Sequence, residues 1–398
     1  MLLSSRGRRI GGRVALGVVS TLVLAATGYA WSQLSKLDAG IVTADVIPPS
    51  AQVDEEDTVP GEPLKVAQNI LLVGIDARTD AYGNPLPQNV LDALHAGSGD
   101  DGGDTTDTMI VVHIPAGGAA ATAISIPRDS YVDIAGGYGK HKINSAYSRG
   151  KNAAMSGLRA QGLSGPQLEV AANAAGAKTA IQTVEKFTGL TINHYAAINL
   201  AGFDALSQAV GGVEVCLKEP VHDSYSGADF PAGPQTLSGA QALAFVRQRH
   251  GLANGDLDRI ARQQAFLSGM AKKVLNAGTF TDVSKLNSLV SAVQGAVVLD
   301  KGWDVLSFAQ QLRGMTSGAI AFVTIPVQSL SLQTPSDGDA VKVDPAQVQQ
   351  FVRTAISTPA VQASGDDSIG GVKPVAATAT KTADAKQPTA TSAAGCVN

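Results

Sequence analysis

The chain has 398 residues and a formal net charge of −4, with 44% hydrophobic and 16% charged residues. That hydrophobic share supports a large core and excludes general disorder, while the acidic balance excludes a protein that holds nucleic acid through a global basic field. Two cysteines, Cys216 and Cys396, and six histidines without HxH or HxxxH spacing exclude an ordinary zinc site.

Arg6, Arg8, Arg9 and Arg13 make a basic N-terminus, residues 1–13. VALGVVSTLVLAATGYAW, residues 14–31, follows with 18 residues and no charge, close to the ~20 that span a bilayer. With the basic flank in front, the positive-inside rule predicts a plasma-membrane anchor with a cytoplasmic N-terminus. A cleaved signal peptide is the rival, because Gly28, Tyr29 and Ala30 read small-x-small. Both readings export the rest of the chain. Residues 32–65 carry prolines and an acidic run with little periodicity and read as an extracytoplasmic stalk. Residues 66–358 read as one domain. Residues 359–398, rich in Ala, Thr, Lys, Pro and Ser, read as a tail with too little apolar surface to order itself.

Within the domain, NILLVGI (69–75), TMIVVHI (108–114) and TAISI (122–126) are continuous apolar runs, the pattern of strands covered on both faces. The turn beginning at Pro115 predicts that the second and third form a hairpin. Helical spacing runs from Gln167 to Phe187 with Gly189 as C-cap. A strand over 192–200, a helix over 201–210 stopped by Gly211 and Gly212, and a strand over VEVCL (213–217) follow. Ser238 and Gln241 match a capping box, so a helix begins near Gly239. Asp256 caps a helix from Leu257 to about Asn276, AIAFVTIPV (319–327) is a late strand, and Asp344-Pro345 opens the last helix. Strands and helices in alternation predict a three-layer α/β/α sandwich around a central mixed sheet.

Polar residues collect at the strand ends, where ligands bind in open α/β sheets. Asp76 and Arg78 end the first strand, Asp107 heads the second, and Arg128 and Asp129 follow the third. One such aspartate alone is ordinarily a turn residue. Two carboxylates beside Arg128 suit Mg²⁺ or Mn²⁺, because Mg²⁺ takes one or two carboxylates and completes its shell with substrate phosphates. The stretch FVRQRHGLANGDLDRIARQQAF, residues 245–266, adds four arginines anchored by apolar residues. Arg247 falls in the last turn of its helix and Arg249 just past it, so the two converge only if the helix stops there. Arg259 and Gln263 share a face of the next helix, and Arg262 stands three beyond Arg259. Pairing with Asp256, Asp258 or Glu214 explains any single arginine. Arg128, Lys140, Lys142, Arg247, Arg249 and Arg259 together outnumber those acids. Guanidinium suits bidentate phosphate recognition, and with two acids and a hard metal the set predicts a pyrophosphate site.

The strings NILLVGIDAR, TDTMIVVHI, ISIPRDSYVDI, GYGKHKIN, SGAQALAFVRQRH and GDLDRIARQQAF, in that order across residues 66–330, resemble the LytR–CpsA–Psr family of membrane-anchored envelope enzymes in its actinobacterial form. The resemblance implies a phosphotransferase that moves a glycopolymer, arabinogalactan or a related polymer, from a polyprenyl-pyrophosphate carrier to a peptidoglycan acceptor. It implies Mg²⁺ on Asp76 and Asp107. It also implies pyrophosphate contacts from Arg128, Arg247, Arg249, Arg259 and Gln263, with Arg78, Asp129, Lys142 and Asp256 as further contacts. Arg128, Asp107, Arg247 and Arg249 would carry the catalysis, and Asp76, Asp107 and Asp129 are the three choices for the proton acceptor. The lipid needs an apolar tunnel, which helices 167–187 and 201–210 are composed to line. One departure is the long Gly/Asp/Pro-rich loop between Asp76 and Asp107, which reads as a lid or acceptor-facing element and adds Asp100, Asp101 and Asp104 as rival ligands. The same residues fit a lipid-pyrophosphate hydrolase, with water as acceptor, or a non-catalytic scaffold that binds phosphorylated glycolipids. Export to an oxidising compartment predicts a Cys216–Cys396 disulfide that docks the last residues on the domain. A buried free thiol at Cys216 and pairing between molecules are the alternatives.

Overall fold

The computed structural model describes residues 41–53, 64–99, 103–118, 120–252, 255–275, 294–304, 308, 320–357 and 396–398. The expected anchor over 14–31 lies outside these residues. Among the described residues no helix is long and apolar enough to cross a membrane.

The chain begins with β1 (Val42–Ala44), β2 (Gln68–Ile75), α1 (Gln88–Ala93), β3 (Thr106–Ile114), β4 (Ala121–Ser125), β5 (Tyr131–Ile134) and β6 (Gly139–Lys142). Two long helices, α2 (Ser145–Ala160) and α3 (Gly165–Thr188), lead to β7 (His194–Asn199), α4 (Leu200–Ala209) and β8 (Val213–Leu217). Then come β9 (Val221–Asp223), β10 (Ala228–Phe230), β11 (Gly233–Leu237), α5 (Gly239–Arg247) and α6 (Asp256–Leu275). The last elements are β12 (Val297–Asp300), β13 (Ile320–Thr324), β14 (Ser329–Gln333), β15 (Asp339–Lys342) and α7 (Pro345–Ser357).

A mixed seven-stranded sheet in the order β1-β12-β7-β2-β3-β4-β13 forms the centre. The expected hairpin is β3–β4; β2 runs antiparallel to β3 and parallel to β7. Side chains alternate across the sheet. Leu71, Val73, Met109, Val111, Ile124 and Tyr195 point to one face, where Ile181, Val184 and Phe187 of α3 and Val348 and Val352 of α7 complete a buried cluster. Helices α4, α5 and α6 cover the opposite side, with Leu200, Leu243, Val246, Phe266 and Met270 in a second cluster. The three-layer arrangement around a mixed sheet is therefore present. Helix α3 ends where expected, at Gly189 in the left-handed region with φ 75°. Helix α7 opens at Pro345, and the Asp344 carboxylate accepts from the Ala346 N–H at 2.9 Å.

Two expectations give way to tertiary contacts. Part of the segment read as a stalk belongs to the domain: β1 pairs parallel with β12 at the sheet edge, and Val46, Ile47, Ala51 and Leu64 are buried. Its apolar run is too brief to show a period, and its partner strand comes from the far end of the domain. The capping box at α5 does not form. Ser238 makes no side-chain cap bond, and the Gly239 N–H donates to Ser207 Oγ of the neighbouring α4 at 2.7 Å.

The end of the chain returns to the domain. Cys216 of β8 and Cys396 are disulfide-bonded, with Cα atoms 4.4 Å apart. Val397 is buried alongside Leu217 in a parallel bridge, and Arg262 donates to the Asn398 carbonyl. β8 pairs with β11 outside the central sheet, so the docked residues extend this smaller sheet.

Candidate active site

On the face opposite α3, the sheet borders a cavity of about 570 Å³. The strand residues along it include the small Gly74, Thr108 and Ala196, and the helices contribute Phe203, Leu206, Leu243, Leu267 and Met270. Close strand approach explains Gly74, because a Cβ there would stand 3.2 Å from the Thr108 Cβ. The expectation for the tunnel walls is half met. α4 lines the cavity, whereas α3 packs on the other face of the sheet.

Backbone geometry gathers the polar rim. The β2–β3 register shifts between Gly74, opposite Thr108, and Ile75, opposite Thr106. Asp107 is the extra residue of that bulge, and bulges re-aim side chains at strand ends. Asp76 follows directly after β2, with its N–H bonded to the Thr105 carbonyl at 3.0 Å. Antiparallel pairing thus brings to one cavity two acids that the inserted loop separates in sequence. The arginine fork forms because α5 stops at Arg247 and Gln248 is extended, with φ −56° and ψ 137°. Extended chain alternates its side chains. Arg247 and Arg249 therefore face the cavity, while buried Gln248 turns away and accepts from Arg262. Arg262 consequently does not join the site. Burial lowers its guanidinium to about 10, and its partners are Gln248 and the docked Asn398.

Arg128, Arg259 and Gln263 also line the cavity, with Gln263 bonded to the Val246 carbonyl at 3.3 Å. Four of the expected contacts stand behind this lining. Arg78 holds Asp76 at 2.6 Å, and Lys142 lies 3.4 Å from Asp129. Asp256 pairs with Arg259 at 2.5 Å and lies 3.9 Å from Arg128. Arg128 itself bonds Asp107 at 2.6 Å and lies 3.7 Å from Asp129. The expectation that nearby acids are too few is therefore corrected. Asp107 of β3, Asp256 of α6 and Asp129, the neighbour of Arg128, converge on two guanidinium groups. Asp256 stands in the first turn of α6 with its carboxylate on Arg259, a side chain rather than a backbone cap.

Electrostatics follow from this crowding. Burial lowers Arg128, but Asp107, Asp129 and Asp256 outweigh it and hold the guanidinium above its ordinary value. Burial dominates at Arg259 and leaves it below its ordinary value despite Asp256. Burial also pushes the Asp256 carboxyl up, against the pull of Arg259 and Arg128. Arg128 Nε, Arg249 Nη2, Arg259 Nε and Asp256 Oδ2 are buried without a hydrogen-bond partner among the described residues. Three of these atoms are cationic donors, each costing about 1–3 kcal/mol or more when unmet. The donor set therefore suits a phosphate-bearing ligand. For Mg²⁺, Asp76 and Asp107 supply hard carboxylate oxygens on one cavity. Among the described residues no group of three His, Cys, Asp or Glu is placed to hold a metal ion, so a metal here would complete its shell with phosphate oxygens and water, as Mg²⁺ does. Of the rival ligands, Asp104 is committed to Lys151 at 2.6 Å; Asp100 and Asp101 lie outside the described residues.

Sequence reasoning missed several contributors. Arg247 Nη1 donates to the Leu94 and His95 carbonyls at 3.1 and 3.2 Å, fastening the inserted loop to the fork. Leu91 and Leu94 of that loop are buried in the second core cluster. Tyr225 and His250 also line the cavity; only the adjacency of His250 to Arg249 marked either of them in the sequence.

A rim of guanidinium and carboxylate groups above an apolar chamber has the chemistry that suits an amphiphilic anion. The chain belongs to the LytR–CpsA–Psr family, whose LytR_cpsA_psr profile matches residues 45–355. It is 41% identical over 359 residues to cell wall biosynthesis protein LcpA of Corynebacterium glutamicum, covering 89% of this chain and 68% of that one. It is 34% identical over 224 residues to polyisoprenyl-teichoic acid–peptidoglycan teichoic acid transferase TagU of Enterococcus faecalis, covering 56% of this chain and 64% of that one. The chain thus spans roughly two thirds of the length of these relatives. Two solved structures share its fold. TagV of Bacillus subtilis gives a TM-score of 0.52 at 24% identity, over 74% of this chain and 98% of that one. TagT bound to LI-WTA gives 0.52 at 18% identity, over 81% and 100%.

Proposed function

We propose that the chain is an extracytoplasmic phosphotransferase that moves a glycopolymer, arabinogalactan-like in kind, from a polyprenyl-pyrophosphate carrier to peptidoglycan. The observation that carries the proposal is the joining of a cationic rim to an apolar chamber, since a polyprenyl pyrophosphate is an anion on a long hydrocarbon. The names of the relatives LcpA and TagU support the cell-wall setting and the class of transfer. The disulfide accords with an oxidising compartment, and the apolar run over 14–31 would anchor the domain at the outer face of the membrane.

The chamber takes the hydrocarbon, and Arg128, Arg249 and Arg259 hold the pyrophosphate at the rim. An acceptor hydroxyl of peptidoglycan attacks the phosphorus that bears the sugar. The new P–O bond forms as the bridging P–O bond breaks, and polyprenyl phosphate leaves with the bond electrons. Charge gathers on phosphoryl oxygens, so catalysis is chiefly positioning and electrostatic stabilisation. Mg²⁺ held by Asp76, Asp107 and the phosphates would neutralise part of that charge. Of the three choices for accepting the hydroxyl proton, Asp76 and Asp107 border the cavity, whereas Asp129 is turned to Lys142 and Arg128. We therefore favour the first two.

Incubating the chain with a lipid-linked oligosaccharide, Mg²⁺ and peptidoglycan fragments should yield a new glycan–peptidoglycan phosphodiester by mass spectrometry. Excess EDTA should abolish the product, and Mg²⁺ or Mn²⁺ should restore it. Glycan phosphate alone would mark a hydrolase, and binding without any product a scaffold. Full activity in EDTA would remove the metal from the proposal.

A further inference from the structure

The cavity rim carries an aromatic pair that the transfer chemistry does not use. Tyr225, in the turn between β9 and β10, is 76% exposed, more than any other large hydrophobic side chain among the described residues. Its ring centroid lies 4.3 Å from that of His250, at an interplanar angle of 32°. Both side chains line the cavity. A single exposed aromatic needs no explanation, but this turn is held in place from two sides. Asp223, only 4% exposed, accepts from the Tyr225 N–H at 3.0 Å and from Ser226 Oγ at 2.8 Å. The same carboxylate stands 3.6 Å from His250 Nδ1. On the other side Gly227, at φ 75°, lies against the inserted loop, where a Cβ would come within 2.7 Å of the His95 ring. Two flat rings are thus fixed at the rim while remaining largely open to solvent.

Arg249 precedes His250 directly and presents at the same cavity its buried Nη2, which has no partner among the described residues. A pyrophosphate on Arg249 with its hydrocarbon in the chamber has its other substituent pointing outward, past the two rings. We propose that Tyr225 and His250 form a stacking platform for the first sugar of the lipid-linked glycan. The ligand class is a pyranose whose ring C–H groups lie together on one face. Such a face packs against an aromatic π surface, while the hydroxyl edge stays wet or meets the imidazole and phenol. This inference rests on the transferase reading, which supplies a sugar beyond the pyrophosphate. It adds the residues that select the sugar.

The test is a binding titration of the full chain in detergent with geranyl pyrophosphate and with the same lipid carrying one glucopyranose. Tyr225→Ala should weaken the glycosylated ligand by about tenfold, the size of a lost aromatic contact, and leave geranyl pyrophosphate unchanged. Tyr225→Phe should bind both like the parent, and His250→Ala should show a smaller loss confined to the glycosylated ligand. Because Tyr225 is exposed, the melting curves of these variants should overlay that of the parent. Equal weakening of both ligands would place the ring on the lipid and overturn the platform, as would no change for either. If the parent binds neither ligand, the transferase reading falls and the platform with it, an outcome distinct from the other two.

Discussion

The two faces of the central sheet are built from alternate residues of the same strands, yet one is closed and the other is open. On the closed face Leu71, Val73, Met109 and Tyr195 meet Ile181, Val184 and Phe187 of α3, and all are buried. On the open face Leu72, Gly74, Thr108 and Ala196 border the cavity instead. Hydrophobic content does not separate the two, because both rows are largely apolar. Side-chain volume does at three adjoining positions, where Gly74, Thr108 and Ala196 face the cavity and Val73, Met109 and Tyr195 face α3. On the proposed function the closed row supports stability and the open row a ligand, so substitutions on the two should have different signatures.

The largest expected effect lies on the closed face. Leu71 is fully buried, and Leu71→Ala should cost about 2–5 kcal/mol of stability, as large-to-small core changes do. Denaturant unfolding measures the loss, and activity per folded molecule should match the parent. A variant as stable as the parent, yet impaired in transfer, would reverse the roles assigned to the two faces. The next effect lies at the rim of the open face. Arg249→Ala should lower turnover by about 10²–10³, as loss of one preorganised donor to an oxyanion does. Its melting temperature should not fall, because the deletion removes a buried nitrogen that has no partner among the described residues. Unchanged turnover on a lipid-pyrophosphate substrate would take Arg249 out of the reaction.

How much of this was legible in the sequence follows the same division. The strands 69–75, 108–114 and 122–126 are readable because a run buried on both faces is apolar at every position. For the same reason the sequence does not say which face is open. Alternation is invisible in a uniformly apolar run, and α3 and α4 have similar compositions although only α4 meets the cavity. At the rim, the arginines are readable as a cluster, and the stop of α5 after Arg247 makes Arg247 and Arg249 converge. The bulge that aims Asp107 is a pairing property and leaves no local signal. The partners behind the rim are hidden too, because Asp107 and Asp256 reach Arg128 from segments far apart in the chain. Arg262 shows the limit of helical spacing. It stands one turn from Arg259, but its offset around the helix and the docked Asn398 turn it away from the cavity.

The smallest effect discriminates best, because it should have opposite signs for stability and for binding. Ala196, midway along β7, is half-buried and faces the open side. Ala196→Leu would extend a branched side chain into the cavity beside Phe203 and Leu206 of α4. If that space is a preformed chamber, the added methylenes gain apolar contact without displacing neighbours, and stability should rise by about 1 kcal/mol. The same atoms occupy room that a polyprenyl chain needs, so a long-chain polyprenyl phosphate should bind about tenfold more weakly. Inorganic pyrophosphate, which needs only the rim, should bind as it does to the parent. On a closed face the outcome differs, since extra volume in a packed core costs about 1–3 kcal/mol through strained rotamers and backbone shifts. Paired thermal melts and titrations with the two ligands therefore decide the matter. An Ala196→Leu variant that is less stable than the parent would mean that this face is packed in solution and that the lipid lies elsewhere.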